Sequence, residues 1–171
     1  MSTLITTTVQ GVQNIKYDAS TTAMTIDSTG RVLTPARPSF LAHGASANVS
    51  SAGYIAYPNI TASKGGHNIG NHYNTSTYQF TAPLAGVYVF SFSVYANATN
   101  SVDIYGVINN DTSFATGGFQ VNAGSNDDNY PTVSGSIAIQ LSATNTFGFY
   151  MTSGEYHTNT SGSFFSGYLL G

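Results

Sequence analysis

The chain has 171 residues, of which only 6% are charged, with a formal net charge of −3 and no cysteine. That length fits one domain plus a short appendage, and the lack of cysteine excludes disulfides and thiolate sites. Lys16, Arg31, Arg37 and Lys64 are the whole basic complement, so everything beyond Lys64 lacks the cations that a phosphate or nucleic-acid surface needs.

Residues 1–36 differ in character from the rest of the chain. The opening stretch is rich in Thr and weakly periodic, which favours extended chain over helix. Met24-Thr25-Ile26 reads as a short strand, Ser28-Thr29-Gly30 as a turn and Arg31-Val32-Leu33 as a returning strand, with Pro35 and Pro38 bracketing a linker. So small a segment cannot bury its own apolar residues and must borrow a partner. Met1-Ser2-Thr3-Leu4 lacks the basic start and apolar core of an export signal. No apolar run approaches the ~20 residues of a membrane span. No membrane insertion is expected.

From Ser39 on, the chain reads as strands separated by turns rich in Gly, Asn and Ser. The expected strands are 39–43, 54–57, 77–81, 87–95, 102–108, 114–121, 132–141, 146–151 and 164–170. Asn71 to Asn74 read as a polar turn. Tyr88, Phe90, Phe92 and Val94 fall two apart and therefore share one face of a strand. The run containing Tyr78 and Phe80 and the strand after Gly86 read as an antiparallel pair across the turn at Pro83. In the later strand at 132–141, Ile137, Ile139 and Leu141 share a face. Many short strands at regular spacing indicate an all-β sandwich, jelly roll or barrel.

Asn68, Tyr73, Phe80, Gly86, Tyr88, Phe90 and Phe92 stand at the spacings of a known signature. It resembles that of the globular head of complement component 1q, which is related in fold to tumour necrosis factor. Ala62 occupies the signature's first aromatic position. The ending Phe164-Phe165-Ser166-Gly167-Tyr168-Leu169-Leu170 is similar to that family's closing strand. The resemblance covers residues 37–171. It implies a ten-stranded jelly roll that assembles as a homotrimer, without catalysis. The wording from Lys16 to Pro38 resembles the leader of bacteriophage fibre and virion proteins, which precedes a terminal adhesion domain. An adhesion-type domain without an export signal points to a virus particle released by lysis. The expectation is a non-enzymatic virion knob, fibre or decoration protein. Residues 1–36 would attach it to other virion proteins, and the knob would contact host-surface carbohydrate. The competing classes are a secreted recognition module, which a cleavable leader would favour, and a carbohydrate-active enzyme.

Candidate chemistry is sparse. Asn126-Asp127-Asp128-Asn129 is the densest set of oxygen ligands, and Asp127 and Asp128 are the candidates for calcium, though the spacing is that of no EF-hand loop. No other cofactor is expected. Asp103 and Glu155 are the only pair one would nominate for glycoside hydrolysis, and nothing marks them. His43, His67, His72 and His157 form no zinc motif. His67 and His72 suit a surface or a subunit seam. Tyr73, Tyr130 and Tyr156 sit in loops beside Asn and Ser, where an exposed ring with amide neighbours would stack on a sugar or pack at a subunit rim.

Overall fold

The computed structural model describes residues 14–16, 18–20, 22–96, 101–111, 113, 119–123 and 131–171. The chain divides into two compact units, Met1–Arg37 and Pro38–Gly171.

In the first unit, Asn14–Lys16 (β1), Thr22–Ile26 (β2) and Val32–Leu33 (β3) form an antiparallel meander in that order. Asp27 closes the β2–β3 turn. Its carboxylate accepts the amide and hydroxyl of Thr29 and the amide and Nε of Arg31. These hydrogen bonds, the Thr29 hydroxyl first, hold its pKa at about 2. Register places Ile15 beside Met24 and Ile26 beside Val32, so one face of the meander is an apolar stripe. Ile15 is 50% exposed and Val32 59% exposed. The first thirteen residues, for which extended chain is expected, lie outside the described residues.

The second unit contains Ser39–His43 (β4), Ala47–Val49 (β5), Gly53–Tyr54 (β6), His67–Ile69 (β7), Tyr73–Asn74 (β8), Gln79–Thr81 (β9), Gly86–Ala96 (β10), Val102–Ile108 (β11), Gln120–Ala123 (β12), Thr132–Leu141 (β13), Thr146–Ser153 (β14), Tyr156–Thr158 (β15) and Phe164–Leu169 (β16). They form two sheets, one of seven strands and one of six. Among the described residues the only helix is a single 3-10 turn at Ala62–Lys64, and no helix is long and apolar enough to cross a membrane. More than ten strands are present because short edge pieces such as β6 and β8 count separately.

β10 is the hub of the seven-stranded sheet. β13 runs along one edge of it from Gly86 to Tyr95, and β16 and β15 follow one another along the other. β4 and then β7 extend the sheet beyond β16, and β5 lies beyond β15. The six-stranded sheet runs β12, β11, β14, β9, β8, with β6 also on β14.

The expected alternation in β10 holds. Tyr88, Phe90 and Phe92 are fully buried, whereas Val89 and Ser91 on the opposite face are partly exposed. Across the sandwich Phe90 stacks on Phe147 of β14 at 4.4 Å, and Phe92 meets Phe149 at 4.2 Å. Aromatic residues fill the space between the layers because each buries a large area and tolerates stacked or edge-on neighbours. Gly167 in β16 is required by this packing. A Cβ there would lie 2.4 Å from Phe90 Cδ1 and 2.8 Å from Phe40 Cε1.

Three expectations are corrected. The segments on either side of Pro83 are not a strand pair. β9 pairs with β8 and β14, so the turn carries the chain from one sheet to the other, and Phe80 meets Tyr88 and Phe90 across the core at 5.2 and 5.4 Å. The strand expected at 54–57 is only β6, although Ile55 and Tyr57 are fully buried as core residues. The polar turn expected at Asn71 to Asn74 includes β8. Residues 114–118 of the strand expected at 114–121 lie outside the described residues, and β12 begins at Gln120.

Candidate interaction surfaces

The signature residues build the core and its edge. Asn68 and Tyr73 clip the loop between β7 and β8. Asn68 Nδ2 donates to the Tyr73 carbonyl at 2.8 Å, and Tyr73 N donates to Asn68 Oδ1 at 3.1 Å. An amide side chain is needed because one group must both donate and accept. The Tyr73 ring lies flat on Phe40 at 4.5 Å, and its hydroxyl donates to the Tyr57 carbonyl at 3.0 Å. Phe80 is fully buried, and Gly86 starts β10 in a buried position. Ala62 lies in the exposed 3-10 turn, where no core space calls for an aromatic ring. Asn68→Ala leaves two backbone groups of Tyr73 without their partner and is expected to cost about 1–3 kcal/mol. Urea unfolding of the variant beside the parent measures it, and an unchanged midpoint would show that the loop does not need its clip.

Two of the three tyrosines expected at a ligand surface are core residues. Tyr73 is 3% exposed and Tyr156 1% exposed. Partners far away in sequence cover them: Phe40 covers Tyr73, and the Tyr156 hydroxyl accepts the Ala56 amide at 3.2 Å. Burial raises the pKa of both phenols. Tyr130, Asp127 and Asp128 lie outside the described residues.

Asp103 accepts the Ser153 hydroxyl at 2.8 Å and the Asn122 amide, which binds three strands of one sheet together. Glu155 lies in the turn between β14 and β15. Among the described residues no three His, Asp or Glu side chains cluster as a metal site would require. His67 is exposed on edge strand β7, with Nδ1 3.0 Å from the Gly65 carbonyl. His72 meets the edge of Phe80. His157 Nδ1 lies 2.6 Å from Asn48 Oδ1. His43 is buried, its backbone bridged to Asn59 on both sides, and its Nε2 has no hydrogen-bond partner among the described residues.

The two sheets present different outer faces. β4, β7, β10, β13 and β16 contain no Asp, Glu, Lys or Arg. Turned away from the core, this sheet shows Ile69 and Tyr168, which are 40% and 45% exposed, and on the same face the partly exposed Val87, Val89 and Phe164. The outer face of the six-stranded sheet is polar and aromatic, with Asp103 its only charged strand residue.

Two facing antiparallel sheets with β10 at the centre of one and the terminal strand beside it define a jelly roll of the complement 1q and tumour necrosis factor type. The C1q domain family matches residues 46–170, and the chain belongs to that family. Among solved structures it is similar to the Eiger TNF of S. frugiperda, with a TM-score of 0.58 at 14% identity, covering 79% of this chain and 93% of that one. The globular domain of zebrafish complement 1qA gives a TM-score of 0.57 at 12% identity, covering 79% and 98%. Murine APRIL gives 0.55 at 10% identity, covering 78% and 99%. No individual curated protein matches the chain. Domains of this family typically form homotrimers and are generally non-enzymatic.

Proposed function

We propose that the protein is a homotrimeric bacteriophage virion protein whose jelly roll is displayed as a knob that contacts host-surface carbohydrate. The observation that carries the trimer is the uncharged, partly apolar outer face of the seven-stranded sheet. Such a face in water favours a partner, and a self-complementary one suits copies of the same chain in closed symmetry. Membership of a typically trimeric family supports three copies. The virion role rests on residues 1–36. The wording from Lys16 on resembles phage fibre leaders, and Ile15, Ile26 and Val32 on the apolar stripe of the meander are exposed. Other virion proteins are the partners this stripe would take, with the particle surface as the location.

Light scattering of the full chain is expected to give three times 17.9 kDa, about 54 kDa. A monomer at micromolar concentration would overturn the trimer. Antibody against the jelly roll is expected to label intact phage particles, and a chain that begins at Pro38 is expected to trimerise yet fail to join them. Recovery of the protein from a secreted fraction, with no label on particles, would favour a secreted recognition module instead.

A further inference from the structure

Tyr105, Tyr150 and Tyr54 stand side by side on three neighbouring strands. Tyr105 of β11 is the register partner of Tyr150 of β14, and Tyr150 is that of Tyr54 of β6. Register partners in an antiparallel sheet point to the same side. That side is outward, because the alternate residues Ile104, Phe149 and Met151 are buried in the core. The three rings are partly exposed and span two strand spacings, roughly 10 Å.

The row is held in place. Tyr54 meets Tyr150 edge-on at 5.2 Å. Tyr54 lies over Gly148, where a Cβ would sit 2.9 Å from Tyr54 Cδ1. Amides fix the hydroxyls at both ends. Gln120 Nε2 donates to the Tyr105 hydroxyl at 2.7 Å, and the Tyr54 hydroxyl donates to Asn110 Oδ1 at 3.0 Å. Asn110 Oδ1 also takes Gln79 Nε2 at 2.9 Å. Asn110 and Gln120 are exposed. Among the described residues, Asn110 Nδ2 and Gln120 Oε1 have no hydrogen-bond partner, so one donor and one acceptor flank the rings.

We propose that Tyr54, Tyr105 and Tyr150, flanked by Asn110 and Gln120, form a binding platform for an uncharged saccharide. A sugar ring presents one face of C–H groups, which suits an aromatic surface, and hydroxyls at its edge, which suit amides that donate and accept. The strands of this sheet contain no cation, which disfavours sialylated, sulfated or phosphorylated ligands. Asp103, the only acid among them, is already engaged by Ser153 and Asn122. The inference deepens the reading of the jelly roll as a knob that contacts host carbohydrate, and it places the site within one protomer.

The test is an array of neutral hexose and N-acetylhexosamine oligosaccharides with sialylated and sulfated ones alongside, probed with the purified full chain. Capture on neutral glycans, unchanged between low and high salt, is expected. Tyr150→Ala should weaken it by roughly tenfold or more, the scale of an aromatic contact with its buried area. Tyr54→Ser, on the short strand β6, provides a second ring deletion should Tyr150→Ala unfold, and Tyr150→Phe should retain capture. No capture on neutral glycans, capture confined to charged ones, or capture unchanged in folded ring-deletion variants would overturn the platform. Light scattering of the same samples separates the readings. A trimer without capture sinks the platform alone, whereas a monomer sinks the trimeric assembly.

Discussion

Phe90→Ala is expected to destabilise the jelly roll by about 3–5 kcal/mol, against a typical total of about 5–15 kcal/mol. Phe90 is fully buried and touches rings from both layers, stacking on Phe147 and lying 5.9 Å from Phe165 and 5.4 Å from Phe80. Its removal takes away the transfer free energy of a phenyl ring and leaves a cavity that strands anchored on both sides cannot close. The neighbouring Ser91 faces the other way, and its hydroxyl meets that of Ser136 at 2.8 Å. Ser91→Ala should therefore cost less than about 1 kcal/mol. Melting midpoints in one buffer decide the matter. Equal midpoints, or a larger drop for Ser91→Ala, would mean that the inward and outward faces of β10 are inverted.

Stability is also expected to fall steeply above about pH 10, where ordinary tyrosines ionise. Tyr57 is fully buried, and its hydroxyl donates to the Ser93 carbonyl at 3.1 Å. Burial raises its pKa well above the ordinary value of 10.0, and burial raises that of Tyr73 too. A neutral acid with a raised folded-state pKa stays protonated in the native chain while the unfolded chain releases its proton. The contribution is therefore complete below the unfolded pKa and is lost as pH rises through the interval up to the folded pKa. The slope is about 1.4 kcal/mol per pH unit for each such tyrosine, so Tyr57 and Tyr73 together give about 3. Urea midpoints from about pH 8 to 12 should be level at first and then drop. The Tyr57→Phe/Tyr73→Phe protein should begin lower, because two hydrogen bonds of about 1 kcal/mol each are lost, and then decline less steeply. A parent protein level to about pH 12 would show that these phenols ionise in place.

Buried tyrosines also mark the limits of sequence reading. Tyr73 follows polar residues and so resembles an exposed loop ring. Its burial depends on Phe40, on a strand more than thirty positions earlier. Tyr156 is covered in the same way by the segment around Ala56. Three tyrosines that face outward, Tyr54, Tyr105 and Tyr150, are far apart in sequence and carry no local mark. Alternation within β11 and β14 does assign Tyr105 and Tyr150 the same relation to their neighbours. That they adjoin one another, and Tyr54, depends entirely on the pairing of β11, β14 and β6.

By itself the sequence determined the strand-forming character of residues beyond Ser39, the inward face of β10 and the absence of cations beyond Lys64. Those properties are local: a two-residue period fixes which side chains share a face, and charge is additive along a chain. Tertiary structure decided which strands share a sheet. The four residues from Ala82 to Ala85 are compatible with a hairpin or with a crossover between layers. Here Ala82 N donates to the Asn145 carbonyl and Thr144 N to the Ala82 carbonyl, both at 2.8 Å, which ties this turn to the start of β14 and commits Phe80 to the sheet opposite Tyr88. Burying an aromatic ring between two sheets is a contact between segments distant in sequence, and its free energy is realised only when both layers are in place.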